Sequence, residues 1–299
     1  MQIVLATSRN QPALTPSDSI LRDELEARGA QVRATPWDAI LPGEENESLV
    51  CLRSTWDYSL RADEFKRWVS AWNDQPSRLR NAPAMVLWNL DKIYLRDLAT
   101  AGVPIPRTAW YAPGQPPDVD AFLTQNGLHE AVVKPRISAS ARGTSRMSAN
   151  TSLAEADLEQ LLAAGSIVQE FVPEIESHGE ISLIFIGSRF SHAVHKQPGS
   201  GDFRVQKRFG GSAGFHHATE SQRDFGAAVL ATVPQVPLYA RVDLVHTANG
   251  PVLMELEVIE PELYMDIAPS GAAQFAEEIM EFVERRNRME RQVGGVADS

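Results

Sequence analysis

Three carboxylates stand on either side of a predicted turn near the carboxyl end of the chain. Asp243 lies in ARVDLV, and Glu255 and Glu257 lie in VLMELEV, with Asn249-Gly250 between the two segments. Asn-Gly is a strong hairpin signal, and residues i and i+2 of a strand share a face, so the three side chains can converge. Like charges on an apolar strand cost free energy unless a cation binds there. Oxygen donors alone favour Mg²⁺ or Mn²⁺.

Arg241 precedes Asp243 by two residues and therefore shares its side of the strand. It can neutralise one of the carboxylates or reach a phosphate group during transfer. The alternative interpretation of the acidic segment is a solvated face of an edge hairpin, where alternating acids are common. Both interpretations remain open from these residues alone.

Two lysines lie at the ends of predicted elements, where they can meet an anion. Lys134 ends the apolar strand EAVVKPR and precedes a loop of small residues, 137–145, whose amides can approach phosphate oxygens, although the loop lacks P-loop spacing. Lys92 falls in the first turn of a helix that Asn89 or Asp91 can cap. A cation there opposes the helix dipole, so Lys92 either extends into solvent or meets an anion that the same N-terminus attracts.

The composition is typical of a globular protein with an acidic surface. The 299 residues include 28 Lys and Arg against 39 Asp and Glu, for a formal net charge of −11, and 43% are hydrophobic. This charge repels phosphate backbones and anionic lipid, which argues against nucleic-acid and membrane partners. The single cysteine, Cys51, stands in the apolar run SLVCL, which favours a buried structural thiol over a nucleophile. With no signal-peptide pattern and no apolar run of membrane-spanning length, a cytoplasmic protein is expected.

Three regions are expected to position these residues. Residues 1–84 alternate strands and helices, which is typical of an α/β domain with a parallel sheet. Residues 85–165 read as a small α+β unit that contains the loop, and residues 166–299 read as antiparallel hairpins with helices. We therefore expect a mixed α/β and α+β fold with an N-terminal parallel-sheet domain, a small lid subdomain and a C-terminal antiparallel-sheet domain. The last helix, from Ser270, is expected to fray from about Arg285.

The segment RSTWDY, residues 53–58, directly follows the predicted strand SLVCL. Ligands of parallel sheets bind beyond the carboxyl ends of the strands, so Arg53 and Asp57 are candidate substrate contacts. The alternative is that Trp56 and Tyr58 cover the sheet while Arg53 and Asp57 form a surface ion pair.

Lysines at strand and helix ends, a loop of small residues and a paired acidic hairpin, in this order along the chain, resemble the ATP-grasp superfamily. The segment GVPIPRT, between Lys92 and Lys134, resembles the continuation G-[IV]-P-x-P-x-T of that superfamily, and QEFVPEI resembles its hinge. The resemblance implies the ATP-grasp fold and the binding of ATP with two Mg²⁺ ions, for which Mn²⁺ can substitute.

The resemblance also implies roles for the residues of these motifs. It assigns ATP contacts to Lys92, Lys134, Gln169, Glu170, Phe171, Val172, Glu180 and Lys196, and the metal ions to Asp243, Glu255 and Glu257. Gln169 and Glu170 would face the adenine amino group. The backbone of Phe171 and Val172 would meet the ring nitrogens, and Glu180 would accept from the ribose hydroxyls.

A catalytic and a substrate set follow from the same resemblance. Lys196 and Arg204 look like the cations around the γ-phosphate and the acyl group, and Arg241 completes the candidate catalytic set. Arg204 and Arg53 would hold the substrate carboxylate, and Asp57 would hold the α-ammonium group.

Within the superfamily, LRSTWDY, GDFRVQ and ELEVIEPEL look most like the cyclo-ligases of D-cycloserine biosynthesis. Two departures from better-known ligases are a glutamate, Glu257, where those have Asn, and a loop poorer in glycine. The implied activity is activation of a carboxylate as an acyl phosphate with release of ADP, followed by attack of a nitrogen of the same molecule, which converts O-ureido-D-serine to D-cycloserine. The alternatives are an intermolecular amino-acid or peptide ligase and a nucleotide-binding protein without turnover. A small amino-acid-derived substrate is the expected partner, and a homo-oligomer is left open.

Overall fold

The amino-terminal region forms a parallel sheet covered by helices, as the alternating pattern predicts. The computed structural model describes residues 1–44 and 48–294. Across the sheet the strands are β2 (Gln31–Pro36), β1 (Gln2–Thr7), β3 (Ser48–Leu52) and β4 (Leu79–Arg80), and the helices of this region are α1 (Pro16–Ala27), α2 (Ala62–Ser70) and α3 (Pro83–Asn89). Both β1 and β3 are buried apolar runs, as strands covered on two faces must be. The Thr15 hydroxyl accepts from the Asp18 amide and so caps α1.

The middle region is a smaller antiparallel sheet with three short helices. Its strands, in order across the sheet, are β5 (Thr108–Tyr111), β8 (Ser166–Glu170), β6 (Glu130–Pro135) and β7 (Ser145–Ser148). Its helices are α4 (Tyr94–Thr100), α5 (Val119–Asn126) and α6 (Glu155–Ala164). The loop between β6 and β7 is the predicted loop of small residues. Strand β5 and helix α5 were not predicted.

The carboxyl-terminal region is a five-stranded antiparallel sheet. Its strands are, in order, β11 (Ser212–His216), β10 (Arg189–Gln197), β9 (Glu180–Ile186), β12 (Tyr239–Thr247) and β13 (Gly250–Glu257). Its helices are α7 (Glu174–His178), α8 (Glu220–Ala231) and α9 (Ser270–Gly294). The two predicted hairpins are present, with turns at Gly187 and Asn249-Gly250, and β11 is an additional edge strand. The observed sheets confirm the predicted fold class.

A β-bulge on the last hairpin sets the register of its acids. Asp243 pairs with Glu255, whereas the next residue, Leu244, pairs with Leu253, so that Met254 is the extra residue. Directly opposed residues of an antiparallel pair share a face. The register therefore places Asp243 beside Glu255. It also places Arg241 beside Glu257.

The first and third sheets share one apolar core. Ile3 and Leu5 of β1 belong to the same buried cluster as Ile184 of β9 and Phe275 of α9, and α1 packs against α9. This packing corrects the expectation that the last helix frays from about Arg285. The reason is a buried contact: Arg286 is 5% exposed, and its guanidinium donates to the carbonyl of Ser48 on β3.

No helix within residues 1–44 and 48–294 has the length and apolar character needed to cross a lipid bilayer.

Candidate active site

A cavity of about 490 Å³ lies between the middle and the carboxyl-terminal sheets. Strands β6 and β8 contribute one wall, and strands β10, β12 and β13 contribute the facing wall. The loop between β6 and β7 and residues 203–208 close its sides. A cavity of this volume fits a ligand the size of a nucleotide or a nucleotide with a small substrate.

Two acids of the predicted hairpin, Glu255 and Glu257, line this cavity, and the third, Asp243, is buried beside them. Oxygens of Asp243, Glu255 and Glu257 lie within 4.8 Å of one another, and Asp243 is 1% exposed. Three converging carboxylates are the donor set that Mg²⁺ prefers, so the residues present fit a divalent cation. The arrangement does not fit the alternative of a solvated face, because all three acids are buried or half-buried.

Arg241 bridges two of these carboxylates. Its Nη2 lies 2.8 Å from Asp243 and 2.5 Å from Glu257. Burial alone would raise the pKa of Asp243, but Arg241 and Lys196 lower it to about 2. Burial raises the pKa of Glu257 to about 7, although Arg241 acts against this rise. The pKa of Asp243 thus lies below the ordinary range of an aspartate, whereas that of Glu257 lies above the ordinary range of a glutamate.

Three lysines reach the same cavity from three different elements. Lys92 Nζ lies 3.2 Å from Glu255, and Lys196 Nζ lies 3.3 Å from Asp243. Burial lowers the pKa of Lys134 to about 8. Burial raises the pKa of Glu255, but Lys92 and Lys134 together lower it more. The site thus combines closely spaced acids with cations that can also face phosphate oxygens.

Lys92 is placed differently from the prediction. It lies in the turn before α4, not in the first turn of a helix, and its backbone amide donates to the carbonyl of Arg136. Asp91 accepts the Arg136 guanidinium at 2.6 Å and the Ile93 amide at 3.0 Å. The turn is thereby tied to the start of the loop of small residues.

The loop between β6 and β7 covers the cavity and is held by two cations. Lys92 Nζ donates to the Ser138 carbonyl at 2.9 Å, and Arg208 donates to the Ser140 carbonyl. Ser140 and Ala141 have φ of 54° and 53°, in the left-handed region that non-glycine residues seldom occupy. The loop is therefore held at two of its carbonyls by cations from two separate segments of the chain.

The predicted hinge lines an apolar slot at the β8 end of the cavity. The slot is lined by Val132, Val172, Ile175, Phe203 and Met254. Gln169 Nε2 donates to Thr108, and the Glu170 carboxylate accepts two bonds of 2.9 Å from Arg107. The side chains of Gln169 and Glu170 are therefore engaged with Thr108 and Arg107 of the protein itself.

Glu180 and Arg204 line the cavity with fixed partners. Glu180 is buried and forms an ion pair with Lys196, and burial raises its pKa more than Lys196 lowers it. The Arg204 guanidinium lies 2.7 Å from Asp202 and 3.5 Å from the ring centre of Phe209. Asp202 and Phe209 therefore fix the direction in which Arg204 presents its donors.

The predicted substrate contacts Arg53 and Asp57 are corrected by the structure. Arg53 is 1% exposed, lies outside the cavity lining, pairs with Asp18 at 2.7 Å and donates to the Pro261 carbonyl at 2.9 Å. Asp57 accepts from the indole of Trp37 at 2.8 Å and is likewise buried outside the lining. Neither residue is on the surface and they do not pair with each other, so both interpretations of this pair were wrong.

Sequence reasoning missed other residues of the cavity. Trp56 and Tyr58 line it, although they were treated only as a cover for the sheet, and Glu260 lines it beside them. The signal for Glu260 was an acid inside the apolar run VIEP, which resembles the signal that identified Glu255 and Glu257.

Comparison with known proteins agrees with this geometry. Residues 3–81 match the N-terminal domain of D-cycloserine synthetase DcsG, and residues 91–280 match the RimK-like ATP-grasp domain. The chain therefore belongs to the RimK-like ATP-grasp family. It is 34% identical over 257 residues to the cycloserine biosynthesis protein DcsG of Streptomyces lavendulae, which covers 78% of this chain and 82% of that protein.

One solved structure and one further protein sequence are also similar to this chain. A crystal structure of D-cycloserine synthetase DcsG matches with a TM-score of 0.81 and 30% identity, covering 95% of this chain and 100% of that chain. A protein of Xanthomonas oryzae pv. oryzae named "Probable alpha-L-glutamate ligase" is 32% identical over 198 residues, 63% of this chain and 65% of that protein. The resemblance to the ATP-grasp superfamily is thus confirmed, and the chain is an ATP-grasp ligase, a class of enzymes that uses ATP and Mg²⁺.

Proposed function

We propose that this protein uses ATP to activate the carboxylate of a small amino-acid derivative and that a nitrogen of the same molecule then displaces the phosphate. One observation carries the proposal: acids of the kind that bind Mg²⁺ and cations of the kind that bind phosphate line one cavity. The lining residues are Glu255 and Glu257 together with Lys92, Lys134, Lys196, Arg204 and Arg241, and the buried Asp243 lies within 4.8 Å of the two glutamates. A protein that only binds a nucleotide has less need for this full acidic set.

ATP would occupy the apolar slot with its adenine and direct its phosphates toward the acidic hairpin. Lys92, Lys134 and Lys196 would offset the charge of the phosphate oxygens. Two Mg²⁺ ions, held by Asp243, Glu255 and Glu257, would supply further positive charge at the transferred group.

Arg204 and Arg241 would hold the two negative groups that must meet. Arg204, fixed by Asp202 and Phe209, faces the cavity beside the loop and can bind the substrate carboxylate or the acyl phosphate formed from it. Arg241 lies between the acids and can accompany the phosphoryl group. The loop tied down by Lys92 and Arg208 would keep water from an acyl phosphate, which water would otherwise hydrolyse.

The cyclisation of O-ureido-D-serine to D-cycloserine is the reaction that we propose for this site. The similarity to DcsG along most of the chain supports it. The nitrogen bonded to oxygen can reach its own activated carboxyl through a five-membered ring, and ring closure reaches effective molarities on the order of 10⁵ M or more. Because the ureido carbonyl is absent from cycloserine, the carbamoyl group must also leave, by hydrolysis to carbon dioxide and ammonia.

Mass spectrometry of a reaction with O-ureido-D-serine, ATP and Mg²⁺ tests the proposal. We expect one ADP and one phosphate for each cycloserine, with no AMP and no added amine. Product that forms only with a second amino acid would establish an intermolecular ligase instead. ATP binding without ADP formation across a panel of amino-acid derivatives would establish a nucleotide-binding protein without turnover. Reaction of the L-enantiomer alone would overturn the proposed stereochemistry.

A further inference from the structure

One buried carboxylate of the cavity has no role in the proposed chemistry. Glu260 lines the cavity, is 5% exposed, and lies three residues beyond Glu257. Within residues 1–44 and 48–294, no basic group forms an ion pair with it. An isolated buried carboxylate is costly, so its retention calls for a partner.

The backbone around Glu260 is clamped by hydrogen bonds at three successive carbonyls. Tyr239 donates to the carbonyl of Ile259 at 2.9 Å, and Arg53 donates to the carbonyl of Pro261 at 2.9 Å. Trp56 Nε1 donates to the carbonyl of Glu260 itself at 3.3 Å. Because these donors are buried or half-buried, the carboxylate of Glu260 is held on a rigid support.

Two aromatic residues, Trp56 and Tyr58, line the cavity together with Glu260. The Tyr58 hydroxyl acts to lower the pKa of the Glu260 carboxyl, and the Tyr58 ring stacks on Phe65 with centroids 4.9 Å apart. Burial and the charge of Glu257 raise the pKa of Glu260 to about 8. A carboxylate beside aromatic rings is a suitable environment for an ammonium group.

We propose that Glu260, supported by Tyr58, binds the α-ammonium group of the substrate and so restricts this site to amino acids. The assignment rests on the proposed function and gives Glu260 the role that the sequence predicted for Asp57. The segment RSTWDY then acts indirectly, because Trp56 and Arg53 hold the backbone carbonyls of Glu260 and Pro261, and Tyr58 lines the cavity together with the Glu260 side chain. The substrate carboxylate, attached to the same carbon as the ammonium group, would lie toward the acids and Arg204.

Two substrates, two variants of Glu260 and one control variant test this assignment. O-ureido-D-serine carries the ammonium group, whereas 3-(ureidooxy)propanoate lacks only that group. We expect wild-type enzyme to favour the amine-bearing compound in kcat/KM, and Glu260→Gln to raise its KM roughly 10- to 100-fold with kcat nearly unchanged. Glu260→Gln should thereby lose most of the discrimination between the two compounds, whereas Glu260→Asp should retain part of it. Asp224→Asn, which removes an exposed acid of α8 outside the cavity, is the control for a general charge effect.

Several results would overturn the assignment. One is a Glu260→Gln variant that still prefers O-ureido-D-serine over 3-(ureidooxy)propanoate as strongly as the wild type does. Another is a fall in kcat with KM unchanged, which would indicate a role in proton transfer. A melting curve for each variant separates these effects from loss of folding. Calorimetry with the two compounds in the presence of MgADP distinguishes this proposal from the proposed function. If wild-type protein binds only the amine-bearing compound but does not convert it, the proposed reaction is contradicted and the ammonium site at Glu260 is retained. If the protein binds both compounds equally, or binds neither, the ammonium site is refuted.

Discussion

The side chain of Asn89 holds the backbone on both sides of Glu257. Its Nδ2 donates to the carbonyl of Leu256 at 2.8 Å, and its Oδ1 accepts from the amide of Val258 at 3.0 Å. Asn89 is the last residue of α3, so one helix end fixes the strand end from which Glu257 projects. The position of Glu257, a candidate metal ligand on β13, is therefore set by a residue at the end of helix α3.

Asn89→Ala should destabilise the fold and loosen the acidic site. The change leaves one buried donor and one buried acceptor unpaired, each at a cost of about 1–3 kcal/mol. We expect a fall of roughly 2–4 kcal/mol in the free energy of unfolding, and a higher Mg²⁺ concentration at half-maximal activity. Urea unfolding and a magnesium titration of phosphate release measure the two effects. A stable variant with an unchanged magnesium dependence would contradict the role of Asn89.

Glu255→Gln should lower kcat by roughly 100-fold or more, since it removes an anionic oxygen donor at the phosphoryl-transfer site. Glu257→Asn should be milder, because Asn retains an oxygen ligand and stands at this position in resembling ligases. Phosphate release at increasing Mg²⁺ gives the comparison, and Asp224→Asn is the exposed control. Full activity of Glu255→Gln at saturating Mg²⁺ would remove the metal assignment.

MgATP should stabilise the protein and protect the loop over the cavity. At a concentration 100-fold above Kd, linkage predicts about 2.7 kcal/mol, or roughly 5–10 °C in Tm. Trypsin should cut after the exposed Arg142 more slowly when MgATP is bound. Lys134→Met should lose both effects, because it removes a cation from the cavity. An unchanged Tm and cleavage rate at millimolar ATP in the wild type would argue against nucleotide binding here.

Arg53→Met should unfold the protein readily instead of acting only on substrate binding. Arg53 and Asp18 form a buried ion pair, and removal of one partner costs about 3–5 kcal/mol. Asp18→Asn breaks the same pair from outside the cavity, so both variants should lose stability to a similar extent. Thermal melts compare them. If Arg53→Met melted as the wild type does and only its KM rose, the original prediction of a substrate contact would be restored.

Cys51 should resist alkylation until the protein unfolds. The thiol is fully buried, and burial raises its pKa from 9.0 to about 12. The folded state therefore keeps this proton while the unfolded state loses it, so the stability contributed by the protonated thiol falls as the pH rises from about 9 to about 12. Iodoacetamide labelling at pH 8, with and without urea, is the measurement. Equal labelling rates in the two conditions would show that the thiol is accessible.

The acidic hairpin and the lysines could be predicted because local patterns carry them. Alternation, an Asn-Gly turn and charges inside apolar strands place Asp243, Glu255 and Glu257 in one group without knowledge of the tertiary structure. The bulge at Met254 could not be predicted, since it depends on the pairing register of the two strands.

Arg53 and Glu260 show why the rest of the site was out of reach. Both are charged residues beside apolar strands, and their local sequences are alike in character. Only the tertiary structure places Asp18 against Arg53, and it gives Glu260 no ion-pair partner among the described residues. The α1 and α9 helices were predicted, but their packing against each other joins residues more than 240 positions apart, which no local pattern reports.

The core shared by the first strand and the last helix also constrains how the chain is made. Ile3 and Leu5 pack in one cluster with Ile279 and Val283. At 5–20 residues per second, a ribosome needs roughly 15–60 s to synthesise the chain between them. During that interval α1 covers this apolar face of the parallel sheet but α9 does not, so part of the face is exposed. Premature termination before α9 should therefore yield an aggregation-prone fragment, even though the cavity-forming sheets have already been translated.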